Sequence, residues 1–323
     1  MEKKIKRIGV LTSGGDAPGM NAAIRAVTRT AINNGIEVVG VYEGYQGLID
    51  NNMKTLNYTD VSNIITQGGT CLYSARCLDM LTDEGKEKAV KNCIDSGIDG
   101  IVCIGGDGTF KGARELSRRG IHCIGIPATI DNDISCTDYC IGFDTALNTV
   151  LDFVDKVRDT CMSHARCSVV EVMGRGAGHI ALEAGISTGA VAIAVPEEEF
   201  DFQKMIEKIK NAQAQGRRQF IVIVAEGTGL TNKIHEVIVN ETGIETRTAV
   251  LAHVQRGGSP TARDRVAASK LGYKAVELLL QGKTGKVVAM VKEEILDFDI
   301  EEALNKPKTF DFDLLNIADV ISV

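Results

Sequence analysis

The chain has no tryptophan, and aromatic side chains of all kinds make up only 5% of its 323 residues. Its core must therefore be built from Ile, Val, Leu and Ala, and a hydrophobic content of 44% is ordinary for a globular protein. A chain of this length favours two domains, each of which can bury its own core.

Positive charge is also scarce, since 36 Lys and Arg stand against 43 Asp and Glu, a formal net charge of −7. That balance argues against a broad surface for nucleic acid or an anionic membrane, so any anion site must be a local cluster of arginines. Long apolar runs are missing as well: those around 190–196 and 220–225 fall well below the ~18 residues that span a bilayer. The apolar run after the basic residues 1–7 ends at Leu11, too short for a signal peptide, so we expect a cytoplasmic protein.

The nine cysteines include no Cys-x-x-Cys pair, and their number is odd. Several of them lie inside apolar runs, where a cysteine behaves as a small hydrophobic residue. We therefore expect buried, inert thiols rather than a disulfide framework or a zinc site.

What the sequence does contain is a regular alternation of apolar runs and helical patterns. The predicted strands are 6–11, 36–42, 100–104, 121–126, 167–173, 190–195, 219–225, 246–251 and 285–291. The predicted helices are 19–34, 84–96, 109–119, 143–161, 177–187, 201–215, 231–241, 261–281 and 299–305. Apolar strands separated by helices predict an α/β protein whose mainly parallel sheets are covered on both faces. We expect the chain to cross into a second domain at the predicted helix 143–161.

Residues 105–109 read Gly-Gly-Asp-Gly-Thr and follow a predicted strand. Glycines let backbone N–H groups approach a phosphate, and the N-terminus of the next helix adds positive potential. A carboxylate at this point suits Mg²⁺ bound between Asp107 and a phosphate. The alternative is an aspartate that caps the helix.

Residues 129–133 read Thr-Ile-Asp-Asn-Asp and follow the next predicted strand. If the segment is extended, Asp131 and Asp133 share one face, where two carboxylates need a cation or a shared proton. That pairing suits one carboxylate oriented toward Mg²⁺ and one general base, and together with residues 105–109 it suggests phosphoryl transfer. An ordinary Asn/Asp turn is the competing interpretation.

Residues 14–15 form a third glycine-rich turn, between the first strand and the first helix. The turn either lets a nucleotide phosphate lie against the backbone or is simply a tight turn. Four arginines point more clearly to a phosphorylated substrate, because they lie at strand ends or in glycine loops rather than on an exposed helical stripe. They are Arg166, Arg175, Arg247 and Arg256.

In this combination and order, the motifs resemble those of the bacterial ATP-dependent 6-phosphofructokinases. The matching stretches are 14–21, 105–108, 129–133, 173–175 and 255–258, and the similarity runs from about residue 5 to 310. The resemblance implies two Rossmann-like, three-layer domains in a homotetramer. It implies an ATP-binding domain of residues 1–141 plus 254–304 and a sugar-phosphate-binding domain of residues 142–253 plus 305–323.

The resemblance also implies a role for each matching residue. Those expected to hold ATP are Gly15, Tyr45, Arg76, Cys77, Gly106, Asp107, Gly108 and Thr109, with Asp107 binding Mg²⁺. Asp131 would take the proton from the 1-hydroxyl of fructose 6-phosphate, and Thr129, Asp133 and Arg175 would support the transferring group. The sugar phosphate would contact Thr129, Ile130, Asp131, Met173, Gly174, Arg175, Glu226, His253 and Arg256, with Arg166 and Arg247 from a neighbouring subunit.

The sequence departs from the family pattern at two places. Ala128 lies where ATP users usually carry glycine and pyrophosphate users usually carry lysine, and Gly108 lies where pyrophosphate users carry aspartate. In the family's effector cleft for ADP or phosphoenolpyruvate, the basic residues kept are Arg25, Arg29, Arg158, Arg217 and Arg218. The residues that differ there are Tyr58 for an arginine, Val191 for a metal-binding glutamate, and Gln215 and Gln219 for a basic residue and a histidine.

We therefore expect an ATP-dependent kinase with altered allosteric regulation. Two alternatives remain open at this point: a pyrophosphate-dependent phosphofructokinase, and a catalytically weak nucleotide-binding partner subunit. A kinase that acts on NAD or a lipid through the same glycine loop fits less well, because it has no use for the arginines.

Overall fold

The computed structural model describes residues 5–306 and 308–322. Residues 1–4, 307 and 323, which the predicted domains include, lie outside the described residues. The chain divides into two compact units. The first unit comprises the chain up to Thr129, Ile134–Thr145 and Arg256–Lys308, and the second comprises Ile130–Asp133, Ala146–Gln255 and the chain from Thr309.

Strands and helices alternate along the described residues. The strands are β1 (Arg7–Ser13), β2 (Glu37–Val41), β3 (Met53–Leu56), β4 (Gly100–Gly105), β5 (His122–Pro127), β6 (Cys167–Val172), β7 (Ala192–Ala194), β8 (Phe220–Ala225), β9 (Thr246–Val250), β10 (Lys286–Val291) and β11 (Glu294–Asp299). The α-helices are α1 (Met20–Asn33), α2 (Gly44–Asp50), α3 (Asp83–Asp95), α4 (Asp107–Arg118), α5 (Phe143–His164), α6 (His179–Thr188), α7 (Phe202–Ala214), α8 (Thr231–Thr242), α9 (Ala262–Leu280), α10 (Ile300–Asn305) and α11 (Phe312–Ile321).

The first unit is built on a seven-stranded sheet in the order β11-β10-β5-β4-β1-β2-β3. Its five inner strands run parallel, and the edge strands β3 and β11 are antiparallel to their neighbours. On one face, α2, α3, α4 and α10 pack with the sheet into a single core cluster. On the other face α1 and α9 pack closely, because Gly272 leaves no side chain in the way: a Cβ there would lie 2.7 Å from Ala26 Cβ.

The second unit has a parallel four-stranded sheet in the order β7-β8-β6-β9. Its central strand β8 is fully buried, as the continuous apolar run Phe-Ile-Val-Ile-Val-Ala predicts. Side chains of α7 and α8 fill the core beside it. Within each unit the carboxyl ends of parallel strands meet at one edge, which is where such sheets bind ligands.

The α/β class with mainly parallel sheets is confirmed, and each predicted strand and helix has a counterpart. The prediction missed α2, β3, β11 and α11. Of these, α2 and β3 are short, and β3 and β11 are the edge strands of their sheet. The two compact units differ from the predicted domains at residues 130–133, which cluster with the second unit, and the later boundaries, at Thr145, Gln255 and Lys308, each lie a few residues further along the chain than predicted. Which ligand each domain binds stays a prediction.

The nine cysteines are thiols rather than disulfides, and six of them are buried. Burial raises the pKa of Cys93 to about 12, so that thiol is not nucleophilic at neutral pH. Within residues 5–306 and 308–322, none of the helices combines the length and the apolar character that crossing a bilayer requires.

Candidate functional site

The turn between β4 and α4 presents a helix N-terminus with an acidic first residue. A Cβ at Gly105 would lie 2.3 Å from the backbone oxygen of Ser13, so glycine is required where β4 passes β1. Asp107 begins α4, and both Asp107 and Gly108 are exposed. The first N–H groups of α4 and the Asp107 carboxylate therefore face the same open space, which suits a phosphate with a bound cation.

Two side chains hold the start of α4 in place. Thr109 Oγ1 donates a hydrogen bond to the Ser13 carbonyl at 2.9 Å, and Tyr45 OH donates to the Thr109 carbonyl at 2.5 Å. Tyr45 is buried, and its ring packs against Gly112, where a Cβ would lie 2.5 Å from the ring. Both predicted nucleotide-binding residues thus support the turn from inside the core.

The first glycine turn lies against the guanidinium of Arg256. A Cβ at Gly15 would lie 2.5 Å from Nη1 of Arg256, and the same nitrogen donates to the Asp16 carbonyl at 3.2 Å. Arg256 was predicted as a ligand of the sugar phosphate. The structure brings its guanidinium to the Gly14–Gly15 turn of the first unit, so this turn presents a cation as well as open backbone.

Residues 74–77, which carry two of the predicted ATP contacts, are partly exposed to solvent. Ser74 Oγ donates to the Gly14 carbonyl at 2.6 Å, which ties this segment to the first glycine turn. Arg76 is exposed, whereas Cys77 is half-buried and packs against the core cluster of the first unit. Burial raises the pKa of the Cys77 thiol, so its contribution is that of a small apolar contact.

Thr129 lies beside the β4–α4 turn, as the parallel arrangement of β4 and β5 requires. The strands pair Gly105 with Pro127, and the Ala128 N–H donates to the Gly105 carbonyl at 3.0 Å. A Cβ at Gly106 would lie 3.9 Å from Thr129 Cβ. The two predicted phosphate-side motifs therefore meet at the carboxyl edge of this sheet.

Residues 130 and 131 form a turn, as the competing interpretation of this stretch predicts, and residues 130–133 are not an extended strand. Asn132 has φ 50°, in the left-handed region that Asn tolerates better than most residues. Asp131 is only 7% exposed, Ile130 is fully buried, and Asp133 is half-buried. The two carboxylates therefore do not share a face as alternating residues of a strand would, and they occupy different environments.

In the second unit, the loops after β6 and β8 lock together around Arg175. The Arg175 N–H donates to Glu226 Oε1 at 2.8 Å, and a Cβ at Gly227 would lie 2.4 Å from the Arg175 carbonyl oxygen. Gly174 has φ 140°, and a Cβ there would lie 2.3 Å from the Ala177 carbonyl oxygen. Glu226 thus fixes the backbone of the loop while the Arg175 side chain is exposed.

Gln255, which the sequence analysis did not select, anchors two predicted site segments. Its Oε1 accepts from the Met173 N–H at 3.2 Å, and its Nε2 donates to the Ala252 carbonyl at 3.0 Å. Gln255 is fully buried, whereas His253 beside it is exposed. The sequence signal that could have indicated Gln255 is its place as the first, polar residue of the matching stretch 255–258.

Arg166 and Arg247 are brought together by strand pairing and share one carboxylate. Strand β6 pairs with β9 so that Ser168 lies opposite Arg247. Glu245 Oε2 lies 2.8 Å from Arg166 Nε, and Glu245 Oε1 contacts Arg247 Nη2. The neighbouring guanidinium of Arg166 holds the pKa of Glu245 below its usual range. No sequence signal marked Glu245, because the pairing register decides which residues meet.

The predicted effector residues of the first unit lie on α1. The guanidinium of Arg29 lies over the ring of Tyr58, 5.7 Å from its centroid. Burial and the neighbouring Arg29 lower the pKa of Arg25. Tyr58 therefore adds a cation–π contact where an additional positive charge would have increased the repulsion.

The predicted effector residues of the second unit surround the end of α6. Arg158 donates to the Thr188 carbonyl, and Arg217 donates to the carbonyls of Ser322, at 2.8 Å, and Gly189, at 3.3 Å. Val191 is fully buried in the core of this unit. Gln219 is buried too, whereas Gln215 and Arg218 are exposed.

The sequence is similar to known proteins over nearly its whole length. A family model described as "Phosphofructokinase" matches residues 7–279. An ATP-dependent 6-phosphofructokinase of Clostridium botulinum (strain Loch Maree) is 51% identical over 318 residues, which cover 98% of this chain and 100% of that protein. The protein of the same name from strain Alaska E43 is 52% identical over 319 residues, with the same coverage of both chains.

Solved structures of similar fold agree with this. A Saccharomyces cerevisiae phosphofructokinase superimposes with a TM-score of 0.88 at 36% identity, over 93% of this chain and 45% of that one. The Pichia pastoris phosphofructokinase in the T-state gives 0.89 at 36% identity, over 94% of this chain and 36% of that one. The chain thus spans less than half the length of those yeast subunits. A pyrophosphate-dependent phosphofructokinase of Marinobacter aquaeolei shares the fold, with a TM-score of 0.85 at 23% identity over 97% of this chain and 91% of that one.

Proposed function

This chain belongs to the phosphofructokinase family, and we propose the following roles for its residues in the reaction. It is an enzyme that transfers the γ-phosphoryl group of ATP to the 1-hydroxyl of fructose 6-phosphate, giving fructose 1,6-bisphosphate and ADP in glycolysis. Such a reaction is chiefly a matter of positioning and of stabilising charge.

The β4–α4 turn is the site for the phosphates of ATP. Gly106, Gly108 and the first N–H groups of α4 would cradle them, with Gly15 and Arg76 as further contacts. A Cβ at Gly108 would meet no atom within 4 Å, so the turn leaves room for the nucleotide. The neutral Ala128 nearby brings no cation of the kind that pyrophosphate users carry, which favours the larger donor.

Asp107 suits a magnesium ion that is shared with phosphate oxygens rather than one held by protein side chains alone. Among the residues that the structure describes, no group of three or more His, Cys, Asp or Glu side chains could hold a metal. Mg²⁺ usually takes one or two carboxylates together with phosphate oxygens and water, and Asp107 is an exposed carboxylate beside the phosphate turn. The ion, when bound there, would neutralise charge on the phosphates.

Asp131 is the general base in this proposal. Its burial sets it apart from Asp107, which is exposed, and this contrast is the observation that carries the assignment. A base that removes the proton from the 1-hydroxyl contributes roughly 10²- to 10⁴-fold to the rate. Thr129, Asp133 and the exposed guanidinium of Arg175 would hold the transferring group.

The remaining residues bind the sugar phosphate. Met173, Gly174 and Glu226 belong to the interlocked loops of the second unit, and Ile130 would contact the sugar next to Asp131. His253, Arg256, Arg166 and Arg247 would bind the 6-phosphate, the last two from a neighbouring subunit of a homotetramer.

Replacement of Asp131 by Asn tests the assignment of the base. We expect kcat to fall roughly 10²- to 10⁴-fold, because the carboxamide cannot accept the proton. The KM for fructose 6-phosphate should change little, since the amide keeps the shape of the side chain. Steady-state kinetics on the purified protein measure both values. Asp138→Asn, an exposed residue of the same connection, is the matched control.

A D131N enzyme that keeps near-full kcat would remove Asp131 from the mechanism. A wild-type protein without activity toward ATP and fructose 6-phosphate would instead favour the alternative of a catalytically weak partner subunit.

We also propose that effector control is weaker than the family pattern implies. Val191 lies in the core, Gln219 is buried, and the guanidiniums of Arg158 and Arg217 already hold backbone carbonyls. Each lost charged hydrogen bond removes roughly 1.5–3 kcal/mol of binding free energy. A site so altered should bind ADP or phosphoenolpyruvate weakly. The cytoplasmic location stays a prediction.

A further inference from the structure

Glu245 contacts two of the arginines that are proposed to bind the sugar phosphate, Arg166 and Arg247. Each of its two carboxylate oxygens contacts a different guanidinium, Oε2 that of Arg166 and Oε1 that of Arg247. The side chains are partly open to solvent, at 25% for Arg166, 48% for Glu245 and 68% for Arg247. A charged group of this exposure can be displaced without unfolding its surroundings.

The backbone positions of the three residues are fixed by the sheet. The Cys167 N–H donates to the Glu245 carbonyl at 3.0 Å, the Arg166 N–H donates to the Cys161 carbonyl at 3.0 Å, and the Phe220 N–H donates to the Arg166 carbonyl at 3.2 Å. Movement is therefore confined to the side chains. Arg166 directly precedes β6 and Arg247 lies on the paired strand β9, so the backbone keeps the two arginines in the same region whether or not Glu245 lies between them.

We propose that Glu245 is an intramolecular counter-ion that competes with the 6-phosphate for Arg166 and Arg247. The inference rests on the proposed function of the two arginines. A carboxylate and a phosphate offer guanidinium groups the same kind of charged oxygen acceptor, and the two cannot occupy the same donors at once. A phosphate monoester carries a charge of about −1.5 to −2 and displaces a carboxylate of charge −1.

This competition makes Glu245 a residue that determines specificity. A hexose without a phosphate has no group that can displace the carboxylate, so the arginines stay closed to it. Between turnovers the two like-charged guanidiniums remain neutralised. The cost is a weaker affinity for the phosphorylated sugar than the arginines alone would provide.

Glu245→Gln tests the proposal, because glutamine keeps the length of the side chain and removes the competing charge. Exposed ion pairs are weak individually, so we expect the KM for fructose 6-phosphate to fall roughly three- to tenfold. The inhibition constant of inorganic phosphate should fall by a similar factor, while kcat moves less than KM. Glu241→Gln is the matched control, since Glu241 pairs with Lys210 at 3.5 Å and touches neither arginine.

Calorimetric titration with inorganic phosphate measures the same competition without turnover. Thermal melting in parallel establishes that both variants are folded. An unchanged or weaker affinity for phosphate in E245Q, with the fold intact, would overturn the proposal and make Glu245 a brace for the arginines. Tighter phosphate binding by E245Q in a protein without kinase activity would leave the counter-ion role standing and defeat the proposed function instead.

Discussion

Asp264, near the start of α9, offers the sharpest test of what holds residues 139–145 in place. Its carboxylate is fully buried and receives four hydrogen bonds from residues 139–145, which lead into α5. Oδ1 accepts from Tyr139 OH at 2.5 Å and from the Gly142 N–H at 2.7 Å. Oδ2 accepts from the Thr145 N–H at 3.0 Å and from the Thr145 hydroxyl. The change we consider is Asp264→Asn, which conserves shape and removes one acceptor.

The magnitude follows from the geometry of these donors. Whichever way the amide is turned, its NH₂ group faces a backbone N–H, that of Gly142 or that of Thr145. Hydroxyl groups can rotate to accept, but a backbone N–H cannot. A buried donor without an acceptor costs about 1–3 kcal/mol, and a charged acceptor lost from the other bonds adds a similar amount. We expect the free energy of unfolding to fall by about 3–5 kcal/mol.

Thermal unfolding followed by circular dichroism, at one fixed protein concentration, measures this loss. At about 2–4 °C per kcal/mol for a unit of this size, Tm should fall by roughly 6–20 °C. Asp152→Asn is the control, because Asp152 is an exposed residue paired with Lys156 on the surface of α5. A D264N protein that melts within about 2 °C of wild type would refute the reasoning, since it would mean that the four bonds contribute almost nothing.

Two further predictions concern the effector residues and the phosphate turn. Micromolar ADP should hardly activate the wild-type enzyme at subsaturating fructose 6-phosphate. Tyr58→Arg should increase this activation, because it restores a cation at the effector site. Strong activation of the wild type would contradict the proposed weak control. Gly105→Ala should lose about 1–3 kcal/mol of stability and raise the KM for ATP, because its Cβ would lie 2.3 Å from the Ser13 carbonyl oxygen and from Thr109 Oγ1. Gly108→Ala, whose Cβ meets nothing within 4 Å, is its stability control in thermal melts, and equal Tm values for the two variants would count against the steric argument.

Local pattern alone was enough to locate the elements that carry the motifs. The glycine-rich residues 105–109 join the end of β4 to the start of α4, residues 129–133 follow β5, and Arg175 follows β6, each as the periodicity of the sequence predicts. Apolar runs and helical spacing report on burial and on nearest neighbours along the chain, which is what decides where a strand ends and a helix begins. The family resemblance rests on the same short stretches.

Contacts between distant residues could not be obtained in this way. Arg256 lies 240 residues from Asp16 in the sequence, and only the folded unit shows that its guanidinium reaches that turn. The spacing of Thr261 and Asp264 is that of a helix-capping pair. Thr261 does cap α9, since its side chain accepts from the Asp264 N–H, but the Asp264 carboxylate accepts hydrogen bonds from residues 139–145 instead. Nothing in the sequence separates these two uses of an aspartate.

The amino-acid sequence determined the chemistry available to this protein, namely glycine turns for phosphates, carboxylates for a cation and a proton, and arginines for a sugar phosphate. Tertiary packing decided how each group is used: it buried Asp131 in a turn, left Asp107 at an open helix N-terminus, and placed Glu245 between Arg166 and Arg247. The reason is physical, because residue type sets what a side chain can bind. Its charge, exposure and partners depend on strand register and long-range packing, which no local pattern encodes.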